Sequence, residues 1–170
     1  MVDGSLTFLL GGARSGKSAE AERLMTALPA PWIYIATAQA FDAEMEERIA
    51  LHRARRGQGW RTLDAPFDLA GALADSPDGQ PVLVDCLTLW LTNHMLAEHD
   101  LEEECARLET VLAAPKGPWF VVSNEVGLGI VPDNALARRF RDAAGRLNQR
   151  IAAFADDVVF MVAGLPMKVK

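Results

Sequence analysis

The segment Gly11-Gly12-Ala13-Arg14-Ser15-Gly16-Lys17-Ser18 fits the phosphate-binding pattern Gly-x-x-x-x-Gly-Lys-Ser. Its small residues let successive backbone N–H groups turn inward around an anion. A helix opening near Lys17 aims the partial positive charge of its N-terminus at the same point. The chemistry to expect is a grip on the phosphates of ATP or GTP. Lys17 would reach the terminal phosphates, Ser18 would offer its hydroxyl to Mg²⁺, and Arg14 would add a charged contact from within the loop. Asp85 closes the apolar run Pro81–Asp85 and would hold the same ion, directly or through water.

Other residues carry weaker signals. Glu125 follows Asn124 at the end of another apolar run, where it would position a hydroxyl or a water, or serve structure alone. His52 lies on a helix-period segment beside an apolar stripe; in isolation such a histidine is more often packed or solvated than catalytic. His94 and His99 read as surface residues. The arginines of Arg138–Arg150 read either as the wet side of an amphipathic helix or as contacts to substrate phosphate or a neighbouring subunit.

These groups must be positioned by an alternation of strands and helices. Short apolar runs predict strands at Leu6–Leu10, Trp32–Ala36, Pro81–Asp85, Trp119–Ser123 and Asp157–Ala163, with Trp60–Leu63 a short extended piece and Met167–Val169 an edge strand. Helix-period segments fall at Lys17–Leu28, from Asp42 to Arg56, at Leu87–Glu98 and Leu101–Ala113, and from Asp133 or Asn134 onward. The Asp42 helix carries Phe41, Met45, Ile49 and His52 near one stripe, and the last helix carries Leu136, Phe140, Leu147, Ile151 and Phe154. The fold class is α/β: a P-loop NTPase fold of the RecA-like kind, with a mainly parallel sheet flanked by helices and an antiparallel edge strand. In such sheets ligands bind beyond the carboxyl ends of the strands, where the phosphate loop, Asp85 and Glu125 would meet.

Composition narrows the function further. The chain has 170 residues, half of them hydrophobic, and is read as one nucleotide-binding domain over 1–170. A net charge of -6 argues against a general nucleic-acid binder. No apolar run approaches the roughly 20 residues of a membrane span, and the N-terminus lacks the basic start of a signal peptide. Cys86 and Cys105 have no metal-ligand spacing and fit the thiols of a reducing compartment, so a cytoplasmic location is expected. None of the four lysines follows an asparagine, so the guanine-reading Asn-Lys-x-Asp segment of regulatory GTPases is missing. A small-molecule kinase or nucleotidyltransferase fits best, with a nucleotide-sensing protein as the alternative of a different class.

Several phrases resemble one family throughout the chain: GGARSGKS, IATA (Ile35–Ala38), DAEMEERIALHRARR (Asp42–Arg56), WRTLDAP (Trp60–Pro66), VLVDCLTLWLTN (Val82–Asn93), SNEVGLGIVPDNALARRFRDAAGRLNQRIA (Ser123–Ala152) and GLPMKVK. Together they resemble the bifunctional adenosylcobinamide kinase / adenosylcobinamide-phosphate guanylyltransferase family of cobalamin biosynthesis. The resemblance implies phosphorylation of adenosylcobinamide with ATP or GTP, followed by transfer of GMP from GTP onto the new phosphate through a guanylylated histidine. His52 occupies the matching place. Ala36, Thr37 and Ala38, then Arg53, Ala54, Arg55 and Arg56, and also Asp64 and Asp85, fall on positions that contact the guanine nucleotide. Leu51 stands where some members have a second histidine, and Asp64 stands where glutamate is common. The resemblance also implies a homotrimer.

Overall fold

A computed structural model describes residues 4–39, 46, 47, 49, 50, 54 and 56–170. Seven strands form one sheet in the order β3-β2-β4-β5-β1-β6-β7. They are β1 (Ser5–Gly11), β2 (Trp32–Ala36), β3 (Trp60–Asp64), β4 (Val82–Asp85), β5 (Pro118–Asn124), β6 (Asp157–Val162) and β7 (Leu165–Lys168). Every neighbouring pair is parallel except β6–β7, an antiparallel hairpin with Val162 opposite Leu165. The α/β class, the mainly parallel sheet and the antiparallel edge strand are therefore as the residue pattern predicts. The piece expected at Trp60–Leu63 is a full parallel strand beside β2.

The inner strands are apolar on both sides because helices cover both sides. Alternate residues divide cleanly between two cores. Leu6 and Phe8 of β1, Ile33 and Ile35 of β2, Val82 and Val84 of β4, and Trp119 and Val121 of β5 face one way. Leu9, Tyr34, Leu83, Phe120 and Val122 face the other. Against the second set packs α1 (Lys17–Thr26), through Ala21 and Met25. The first set is covered by α2 (Leu69–Ala74), α3 (Leu87–Leu96), α4 (Leu101–Leu112) and α5 (Ala135–Phe154).

Local signals fix these helices. Asp68, Asp100 and Asn134 accept first-turn N–H groups as N-caps of α2, α4 and α5. Helix α2 escapes the sequence pattern because its six residues, LAGALA, are too few to show a period. Two further expectations are corrected. The apolar spacing puts Leu136 on the inner stripe of α5, yet it is 53% exposed, because it lines an open groove between the start of α5 and the end of α3. The sequence puts His94 at the surface, yet only 2% of it is exposed. The open side of helix α3 is the stripe Leu89, Thr92 and Leu96, and His94 lies off that stripe, on the side turned toward Phe67. His94 Nε2 lies 3.1 Å from the Phe67 carbonyl and must donate to it, so Nδ1 accepts from His99 Nδ1 at 2.9 Å.

In the segment predicted as a helix from Asp42 to Arg56, residues 46, 47, 49, 50 and 54 are helical. Phe41, Asp42, Met45, Arg48, Leu51, His52, Arg53 and Arg55 lie outside the described residues.

Candidate active site

The phosphate loop leaves β1 at Gly11 and enters α1 at Lys17. Two glycines are required by geometry. A Cβ on Gly11 would lie 2.5 Å from Ser15 Oγ and 2.8 Å from the Met161 carbonyl. Gly16, at φ 95°, is the left-handed N-cap of α1, and a Cβ there would come within 3.3 Å of Gly164 Cα. Among the described residues no side chain caps α1, which leaves its first-turn N–H groups to an anion. Behind the loop stands the β6–β7 turn, where Gly164 N–H donates to the Ser15 carbonyl at 3.0 Å. Arg14 (φ 55°) and Ala13 point outward and are exposed, whereas Ser15 and Lys17 are buried.

The Lys17 ammonium donates to the Gly12 carbonyl at 2.5 Å and to Ser15 Oγ at 3.4 Å, folding back across its own loop. Burial lowers its pKa, while the neighbouring Cys86 and Asp85 oppose that shift. A buried cation held by neutral oxygens is poorly compensated, and a phosphate would complete it.

Asp85 ends β4, one strand removed from β1, and by alternation shares the α1 face with Leu83. Its Oδ2 accepts the Tyr34 hydroxyl at 3.0 Å. Burial, and then the Asp85 charge, push the Tyr34 phenol far above its ordinary pKa, so it stays a donor. Over the Tyr34 ring, 3.6 Å from its centroid, sits the Arg56 guanidinium. Arg56 Nε and Nη1 are buried without a hydrogen-bond partner among the described residues. Cys86 follows Asp85 through a cis peptide, and burial pushes its thiol up to about 11, which leaves it protonated and unreactive. Ala36, Thr37 and Ala38 leave β2 beside this point. The buried Thr37 hydroxyl donates to the Cys86 carbonyl at 2.7 Å and accepts the Cys86 N–H at 2.9 Å. Asn93 Nδ2 holds the Thr37 carbonyl at 2.8 Å from α3.

The rim thus gathers the phosphate loop, Lys17, Asp85, Thr37 and Arg56. Asp64 is exposed at the end of β3, level with Ala36. Ala54 is helical and exposed; His52, Arg53 and Arg55 lie outside the described residues. Glu125 stands beside the loop, its N–H on the Gly11 carbonyl at 3.0 Å, but its carboxylate accepts Gly127 N–H at 2.5 Å and so closes its own turn. Among the described residues no cluster of His, Cys, Asp or Glu would cage a metal. The available donors, the Ser18 hydroxyl and the Asp85 carboxylate, are hard oxygens at a phosphate site. They fit Mg²⁺, which keeps its waters and takes phosphate oxygens rather than an all-protein cage.

A cleft of about 410 Å³ opens elsewhere, between α4 and α5, lined by Glu102, Cys105, Arg139, Arg146 and Arg150 among others. It lies on the opposite face of the sheet from Lys17. Arg150 there is already engaged with Glu102 and Glu109. Within the arginine run, Arg138 holds the Pro132 and Asp133 carbonyls and Arg141 holds that of Gly127, so part of the run ties down the loop before α5.

Sequence reasoning missed Tyr34. Its signal was the alternation of β2, which puts Tyr34 on the face opposite Ile33 and Ile35. Only the strand order brings that face beside Asp85.

Comparison with known proteins decides the family. The family described as cobinamide kinase / cobinamide phosphate guanyltransferase matches residues 7–169. The chain belongs to that family. It is 52% identical over 165 residues, 95% of each chain, to the bifunctional adenosylcobalamin biosynthesis protein CobP of Pseudomonas aeruginosa. With the bifunctional adenosylcobalamin biosynthesis protein CobU of Salmonella typhimurium it shares 41% identity over 181 residues, 97% of this chain and 99% of that one. Among solved structures, the RadB recombinase superposes with a TM-score of 0.55 at 20% identity, over 94% of this chain and 74% of that one. A type III secretion ATPase also gives 0.55, at 14% identity, over 98% of this chain and 57% of that one. Both are likenesses of fold alone. No described helix is long and apolar enough to cross a membrane.

Proposed function

We propose that this enzyme phosphorylates the hydroxyl of adenosylcobinamide with ATP or GTP, then transfers GMP from GTP onto the resulting phosphate, releasing pyrophosphate and adenosyl-GDP-cobinamide. The observation that carries the reading is the convergence of a buried Lys17, Asp85 and Arg56 on one phosphate loop, in a chain that matches the family almost end to end.

The kinase step asks the protein for position and charge. Loop N–H groups and the α1 N-terminus hold the phosphates, and Lys17 follows the charge that moves onto the leaving diphosphate. Ser18 and Asp85 would hold Mg²⁺, which supplies charge neutralisation at the phosphate oxygens. In the second step a neutral nitrogen of His52 attacks the α-phosphorus of GTP. The bond to the β-phosphate oxygen breaks, and pyrophosphate leaves with the negative charge. A phosphate oxygen of adenosylcobinamide phosphate then attacks the same phosphorus, the P–N bond breaks, and His52 is regenerated. Arg56 and the neighbouring Arg53 and Arg55 supply positive charge to the departing pyrophosphate.

The experiment is capture of label. Incubated with GTP and magnesium and then denatured, the protein is expected to retain acid-labile, base-stable label from the α-phosphate and none from the γ-phosphate. His52→Ala should abolish that label and leave the kinase reaction. An unlabelled protein under conditions of turnover would remove the covalent step. The same reading includes a homotrimer, on the strength of the family resemblance, and a cytoplasmic location, on the free thiols of Cys86 and Cys105; equilibrium sedimentation and cell fractionation test them.

A further inference from the structure

Tyr34 touches two groups of opposite charge at once. Its hydroxyl is on Asp85 at 3.0 Å, and its ring lies under the Arg56 guanidinium at 3.6 Å. Two of the guanidinium nitrogens, Nε and Nη1, are buried without a hydrogen-bond partner among the described residues. A half-buried carboxylate and a half-buried guanidinium on the two sides of one residue attract each other, and the partnerless guanidinium nitrogens make a direct pair the obvious alternative. The aromatic ring stands in the way of that pairing. It offers the cation its π-face and the anion its hydroxyl, and is itself braced edge-on by Trp60. If the position served packing alone, phenylalanine would fill it; the hydroxyl is buried and committed to Asp85.

We propose that Tyr34 is a positioning residue for both transfer reactions. Its hydroxyl orients Asp85 toward the metal side of the nucleotide, and its ring holds the Arg56 guanidinium for phosphate, so the two charges share one rim without neutralising each other. The inference rests on the assignment of Asp85 to the metal and Arg56 to the nucleotide made above. It adds what keeps them apart. Tyr34 touches no reacting atom and acts through these two neighbours.

The test is calorimetric titration of the full-length protein in magnesium and in EDTA, with α,β-methylene-GTP as the GTP ligand throughout, because its GMP cannot pass to His52 and the heat reports binding alone. Tyr34→Phe keeps the ring and removes the hydroxyl. The magnesium concentration for half-maximal strengthening of GTP binding should rise roughly ten-fold, the scale of a lost hydrogen bond to a charged group. GTP affinity in EDTA should stay at the wild-type value, a separation that general loosening of the fold would not produce. Tyr34→Leu removes the ring as well and should weaken GTP binding in EDTA several-fold. Arg56→Ala should weaken binding in the wild-type background and add little in the Tyr34→Leu background. A wild-type magnesium response in Tyr34→Phe would overturn the inference, as would equal effects of Arg56→Ala in both backgrounds. Should Tyr34→Leu not fold, the Tyr34→Phe titration decides alone. Failure of the α-phosphate label in the wild type would strike the proposed reaction and leave this result standing.

Discussion

The two faces of the sheet are built to different ends. On the face covered by α2 to α5, large apolar side chains fill the space: Trp90, Trp119, Phe8 and Leu87 are essentially sealed from water. Charged side chains are absent from that buried cluster, and polar groups there are mostly matched, as where Ser123 Oγ donates to Asn148 Oδ1 at 2.8 Å and Thr88 Oγ1 accepts the Asn124 N–H at 2.7 Å; the Trp119 indole N–H alone is buried without a partner among the described residues of this face. On the α1 face the apolar cluster is smaller, and Lys17, Tyr34, Asp85 and Arg56 are buried or half-buried near its upper end. Lys17 is held there against its own desolvation, and Arg56 keeps unpaired donors. One face holds the fold together, and the other keeps charges in costly places where a nucleotide can relieve them.

That division can be broken most directly from the packed side. Trp90 is 1% exposed and donates its indole N–H to the Phe67 carbonyl at 2.8 Å. Trp90→Ala should cost about 3–5 kcal/mol of stability in chemical denaturation, with GTP affinity of the folded fraction preserved. A comparable loss of affinity would show that the two faces are not separable.

The converse substitution is Lys17→Ala. It should lower both transfer rates roughly 10²–10³-fold. The nucleotide-free protein should melt no lower than the wild type, because a poorly compensated buried cation is being removed. A large drop in melting temperature would mean that Lys17 holds the loop's fold as well as its ligand.

Acid titration gives the smallest effect and separates the faces by pH. Burial lowers the pKa of His94, so the histidine is neutral in the fold while the unfolded chain takes up a proton at its ordinary value. Its contribution is therefore complete above about pH 6.5 and is lost as pH falls from there through the lowered folded value. The partner His99, together with Glu104 and Arg107, shapes that window. In His94→Gln the stability slope just below pH 6.5 should flatten, with the pH response of GTP binding unmoved.

Much of this was legible beforehand. The strands could be read because sheets buried on both sides write near-continuous apolar runs, and VLVD and WFVV leave little choice. The phosphate loop could be read because its spacing is set by backbone geometry, which glycine positions report directly. What escaped depends on neighbours distant in sequence. Tyr34 matters through Asp85 on the adjoining strand, a relation no local pattern encodes. His94 was misplaced for the same reason. A single histidine among LTLWLTNHML carries no mark of the Phe67 carbonyl that receives it. Leu136 is in register with the inner stripe of α5, but register cannot tell whether a neighbouring helix fills the space in front of it.

The hydrogen bond from Gly164 to Ser15 joins the phosphate loop to the β6–β7 hairpin, which lies far along the chain from it. A nascent chain therefore presents its anion-gripping residues to the cell well before the brace behind them has been made. Competence to hold a nucleotide should arrive only once that hairpin has emerged, as one event, rather than accumulate with length.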